Sequence, residues 1–187
     1  MLLALAFLST NESESYHGVC KEFLNRISSK SSDGTNATAL QVCIIAPNAV
    51  SDYDELLRIA KEFYDKDRTF ALSLGAILFR AGRPEQALKY LAAFDATPTN
   101  SPNAAYLGYF LAMTQHALGQ KDLAIESLNK TNTFVSKESS MGIKPRWVRQ
   151  VMLELLRAET TKVVLGESDD YFDYPPFDPH GLWRPLT

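Results

Sequence analysis

Two pairs of small residues keep one spacing: Gly82 and Gly119 are 119 − 82 = 37 positions apart, and so are Ala87 and Ala124, at 124 − 87 = 37. Around them the same order of residues recurs. Leu74-Gly75, Leu78, Ala81-Gly82-Arg83-Pro84, Ala87 and Leu91 are followed by Leu111-Ala112, Gln115, Ala117-Leu118-Gly119, Ala124 and Leu128. A repeat of this length means that one supersecondary unit is used more than once, each copy burying its apolar face against its neighbours.

The residue types say what the unit is. Apolar positions three and four apart mark helices on both sides of each glycine. Gly82 supplies the left-handed residue that stops the first helix, and Pro84 sits in the first turn of the second, where a missing N–H costs nothing. Gly75 and Ala87 are small enough to let two antiparallel helices approach closely, with Leu74, Leu78 and Leu91 filling the space around that contact.

The rest of the chain reads as helices of the same kind. Tyr16, Val19, Cys20, Phe23, Leu24 and Ile27 form one apolar stripe, which pairs with the apolar run at residues 1–8 across a polar turn. Ala39 to Ile45 reads as strand or helix by periodicity alone; Asp33 or Thr35 as a cap and Pro47-Asn48 as a stop favour helix. Ser51 with Asp54 resembles a capping box ahead of the stripe Tyr53, Leu56, Leu57, Ala60, Phe63 and Tyr64. Ser101-Pro102 reads as a cap with proline at the first helical position. After a polar loop at residues 136–144, Trp147, Val148, Val151, Met152, Leu155 and Leu156 share one face, while Arg146, Arg149, Glu154, Arg157 and Glu159 make an opposite, wet face suited to closing a stack.

The predicted fold is therefore all-α: an α-α superhelix of antiparallel hairpins at residues 1–29, 35–65, 68–96 and 102–134, an end helix at 145–164, and an extended tail at 166–187. The two clear copies resemble tetratricopeptide (TPR) repeats, which form right-handed solenoids; their usual period of about 34 residues leaves a surplus that fits in residues 97–102. The stretch from Cys43 to Asp52, together with Leu74 to Arg83, further resembles the TPR-like tails of large bacterial proteins that carry serine/threonine-kinase or WD-repeat modules. The resemblance implies a non-catalytic region that mediates contacts, a protein or peptide as partner, and a cytoplasmic setting. A start inside an apolar run is what a piece of a longer protein, or a first helix that has lost its beginning, would show.

TPR domains that grip a C-terminal carboxylate place Lys, Asn and Arg on the groove side of each first helix. The matching positions here are Thr69, Leu72, Ala76, Phe79 and Arg80, then Tyr106, Tyr109, Met113 and His116, so that clamp is absent. What remains is an apolar, aromatic groove, with Leu72, Phe79, Arg80, Tyr106, Tyr109, Met113 and His116 as its candidate partner-binding residues. Such a stripe serves core packing as readily as ligand binding. Solvent exposure of Tyr109 and Met113 separates a binding groove from a purely structural spacer.

Catalytic and cofactor chemistry finds little support. A net charge of −3 gives no field for nucleic acid or anionic lipid, and the apolar run at residues 1–8 is too short to span a bilayer. No glycine-rich phosphate loop, Gly-x-Ser-x-Gly elbow or kinase signature is present. His17 and Cys20 lie three apart on one helical face, which could pair a thiol with a base or supply two metal ligands, but no further Cys or His is near in sequence. Cys20 and Cys43 read as small hydrophobes, and nothing in the sequence supports a disulfide between them. Asn-x-Ser/Thr triplets at Asn11, Asn36 and Asn129 read as chance matches, and Asp169-Asp170 as a solvated charge pair. The tail carries Tyr171, Phe172, Tyr174, Phe177 and Trp183 among prolines, too aromatic for a plain linker, and residues 171–183 are expected to dock back on the helical array.

Overall fold

The computed structural model describes residues 1–10, 12–28, 40–94, 103–140 and 147–166. Regular structure among these is helical: α1 (Leu2–Ser9), α2 (Ser13–Ser28), a helical stretch at residues 40–44, α3 (Asp54–Lys66), α4 (Ala71–Arg80) after a 3-10 turn at Arg68–Phe70, α5 (Pro84–Phe94), α6 (Ala104–Ala117), α7 (Lys121–Ser140) and α8 (Trp147–Leu165). The all-α expectation holds for the described residues.

The repeat landmarks fall at two equivalent turns. Gly82 has φ 70° and Gly119 φ 75°. Behind each, the chain closes with the same bonds: Gly82 N donates to Phe79 O (3.0 Å) and Arg83 N to Leu78 O (2.9 Å), while Gly119 N donates to His116 O (2.9 Å) and Gln120 N to Gln115 O (2.9 Å). These bonds satisfy the last carbonyls of α4 and α6 and reverse the chain, so α4 packs along α5, and α6 along α7. Pro84 is the first residue of α5. A Cβ on Gly75 would lie 2.7 Å from Leu91 Cγ and 3.4 Å from Ala87 O, the close approach expected there.

The second hairpin makes its close approach elsewhere. Ala112, at the position of Gly75, is buried, but the tight contact is at Gly108, where a Cβ would lie 1.9 Å from Thr131 Oγ1. Thr131 is held there because its hydroxyl donates to Ser127 O within α7 (2.7 Å). Sequence gave no warning, since Gly108 has no glycine partner in the first copy.

Two boundaries differ from expectation. The helix α7 continues to Ser140 instead of yielding to a loop at 136: no glycine or proline interrupts it before Gly142, Phe134 and Val135 pack against the core, and Glu138 pairs with Arg149 of α8 at 2.8 Å. At α3 the capping-box pairing of Ser51 with Asp54 is replaced by Asp52, whose Oδ1 accepts from Asp54 N at 2.8 Å. Asp54 is itself the first helical residue and so cannot reach back as the reciprocal partner. The capping positions at Asp33, Thr35 and Ser101-Pro102, and the link at 97–102, lie outside the described residues.

The stretch at residues 40–46 is fastened to α2 by one side chain. Tyr16, buried, donates its hydroxyl to Val42 O (2.8 Å) and accepts from Ala46 N (3.4 Å). Ala46 and Val42 stand four apart, the separation of an ordinary helical hydrogen bond. The phenol oxygen is spliced into that bond and completes the end of the stretch.

Candidate functional site

The first helices of the two repeats, α4 and α6, carry the predicted groove, and α8 lies against it. α8 packs on α6, α7 and α1, and buries Met152, Leu153, Leu156, Thr160 and Val164. Met152 clusters with Leu5 of α1 and with Ile45, while Tyr106, Val148, Val151 and Leu155 pack around them. The Tyr106 hydroxyl donates to Met152 Sδ at 3.9 Å. The sequence casts this helix as an end plate with a wet outer face; it packs on the second hairpin and on α1, and meets the first hairpin through Glu159.

One part of that contact is polar. Arg80, the last residue of α4, donates from Nε to Ile44 O (3.0 Å) and from Nη2 to Ile45 O (3.2 Å). Its Nη2 also donates to Glu159 Oε2 of α8 (2.7 Å), and Nη1 to Glu159 Oε1. The guanidinium carbon lies 5.8 Å from the Phe79 ring centre and 5.4 Å from that of Phe110. A planar fork that matches a carboxylate in two bonds and rests on aromatic faces is what arginine supplies and lysine does not. The Arg80 side chain is 2% exposed and that of Glu159 19%.

A second pair marks the other end of α8. Arg149 donates to Glu138 of α7 (2.8 Å), both half-buried, and its guanidinium carbon lies 6.0 Å from the Tyr106 ring centre. Burial pushes the Tyr106 phenol up to about 12, an effect that the Arg149 charge opposes. Arg149 and Glu159 are thus not on a wet face: each is turned to an oppositely charged residue of an inner helix.

Of the predicted groove residues, Tyr109 and Met113 are both 0% exposed and Leu72 is buried. The Tyr109 hydroxyl donates to Asn132 Oδ1 of α7 at 3.1 Å, so the ring is held inside its own hairpin, and burial raises its phenol to about 12. Phe79 is half-buried edge-on to Phe110, with ring centres 6.2 Å apart. His116 is half-buried, its Nδ1 enclosed with no hydrogen-bond partner. The structure sets Arg80 and Tyr106 against α8, through Glu159 and Met152, places Phe79 beside Arg80 and Phe110, and sends Tyr109 into the hairpin core. Sequence reasoning missed Glu159 and Glu138, although Arg80 as the one charge on an otherwise apolar α4 was a usable signal.

The His17 ring centre lies 5.9 Å from that of Tyr16, and the polar neighbours of Cys20 are Cys43 and Tyr16. Among the described residues there is no cluster of three or more His, Cys, Asp or Glu fit to hold a metal, and no helix long and apolar enough to cross a membrane. The aromatic tail at 171–183, with Tyr171 and Trp183, lies outside the described residues. No protein-family model, curated protein or solved structure matches the chain.

Proposed function

We propose that the chain is a non-catalytic protein-binding scaffold of TPR-like hairpins, whose inner groove holds one amphipathic helix, in this chain its own α8. The observation that carries this reading is the bidentate grip of Arg80 on Glu159 inside an otherwise apolar contact. A buried guanidinium is costly to place unless something specific receives it, and the half-buried Glu159 does so, so the pair acts as a register mark for the helix that lies there. A partner suited to the site is a helix with apolar residues at the spacing of Met152, Leu153, Leu156 and Val164 and a carboxylate at the position of Glu159. A cytoplasmic, multidomain setting belongs to the same proposal.

The test uses the full chain and a fluorescent peptide of residues 147–165. Glu159→Ala in the chain loosens its own helix, so that variant should bind the peptide more tightly than the parent does. A peptide carrying the same Glu159→Ala change should bind neither. The burial of Tyr109 and Met113 favours the second reading, a structural spacer, in which α8 is a permanent part of the core. Loss of stability in the variant with no gain in peptide binding decides for the spacer.

A further inference from the structure

The chain has two cysteines, and they meet. Cys20 lies on α2 and Cys43 on the helical stretch at 40–44, on either side of residues 29–39; both are free, and both are 0% exposed. Tyr16, one turn before Cys20 on α2, donates to Val42 O, next to Cys43 in the chain, and at this junction the two thiols pair with each other. The same junction holds the Tyr16 bonds to Val42 and Ala46, so the backbone on both sides is fixed around the sulfurs. We propose that Cys20 and Cys43 are a dithiol site that peroxide converts to an intramolecular disulfide, locking α2 to the stretch at 40–46.

The chemistry assigns the two sulfurs different parts. The thiolate is the reactive form, and the hydrogen bond from the Cys43 thiol holds the Cys20 thiol below its ordinary range, against the opposing effect of burial. That same hydrogen bond, with burial, keeps the proton on Cys43. Cys20 therefore attacks the peroxide O–O bond, forming a sulfenic acid and releasing hydroxide. The Cys43 sulfur then displaces the sulfenic oxygen as a second hydroxide, and its own proton together with the one first lost from Cys20 turns both into water. Two thiols lose two electrons and two protons, and one peroxide becomes two waters. The product is placed to matter: residues 44 and 45 of the locked stretch supply the carbonyls that hold Arg80, and Arg80 holds α8. Oxidation thus tightens the far side of the groove without touching it.

The experiment treats the reduced, purified full chain with hydrogen peroxide and reads intact mass without reductant. The expected product is a monomer that has lost the mass of two hydrogen atoms, with peptides containing Cys20 and Cys43 joined, a higher melting temperature, and reversal by dithiothreitol. Cys43→Ser should stop at a sulfenic acid on Cys20 that dimedone captures, whereas Cys20→Ser should leave Cys43 unmodified. Gain of oxygen by the parent chain, linkage between two chains, or persistence of both thiols at peroxide levels that oxidise the urea-unfolded chain would each overturn the proposal. The mass readout on the parent chain stands even if a serine variant does not fold, and it does not depend on peptide binding in the groove.

Discussion

Arg80 and Glu159 are 79 positions apart in sequence and meet as a bidentate pair, with Arg80 bonded on its other edge to the carbonyls of Ile44 and Ile45. Three distant pieces of chain are therefore held by one guanidinium. Removing it strands a carboxylate and two carbonyls; removing the carboxylate strands a buried cation. Arg80→Ala is expected to destabilise the chain by about 3–5 kcal/mol, the range for breaking a buried pair from one side. The double variant Arg80→Met with Glu159→Leu should lose much less. Urea denaturation of the single and double variants checks this, and equal losses in both would show that the pair carries no coupling.

Gly82 and Gly119 should respond alike to substitution. Nothing lies within 4 Å of a Cβ at either position, so the cost is that of the left-handed backbone alone. Alanine at either is expected to cost about 1–2 kcal/mol, and valine more. Thermal melts of both pairs of variants test the equivalence, and a tolerant Gly119 beside a sensitive Gly82 would break it.

Gly108 should be far less tolerant than Gly75. A new methyl at Gly75 meets the side chain of Leu91, which can turn, whereas at Gly108 it meets Thr131 Oγ1, tied to Ser127 O. Gly108→Ala is expected to cost about 1–3 kcal/mol, as overpacking does, and Thr131→Ala in the same chain should recover part of it. A double-mutant cycle on these two residues measures the recovery.

How much of this was legible follows from where the information sits. A left-handed turn or a close helix contact is written in one residue and its neighbours, so Gly82, Gly119 and Gly75 were readable. The Gly108 contact depends on the rotamer of Thr131, set by a bond in another helix. Periodicity places Glu159 opposite the apolar stripe of its own helix, but says nothing of a partner 79 positions away. Tyr109 and Met113 were ambiguous because α6 is apolar on nearly every side, leaving no polar face to orient it.

Alkaline pH should weaken the fold through the buried phenols. Burial raises Tyr109 from 10.0 to about 12 and Tyr106 to about 12. The unfolded chain then releases these protons first, so the stability they contribute is complete below pH 10 and is lost between pH 10 and 12. A loss on the order of 2 kcal/mol over that window is expected for Tyr109. Tyr109→Phe should flatten the alkaline limb, at the cost of the bond to Asn132. Urea midpoints at stepped pH for the parent and the variant provide the comparison.

The Tyr16 hydroxyl gives the molecule a natural reporter. Because the Ala46 amide donates to that oxygen and not to a carbonyl of its own helical turn, its protection from solvent hydrogen exchange depends on α2 remaining in place. Amides inside α2 exchange when that helix frays; Ala46 exchanges when α2 leaves, whole, with its own turns intact. The logarithm of the ratio by which the Ala46 amide is slowed, multiplied by RT, is the free energy of docking one helix, readable at a single peptide group without a label.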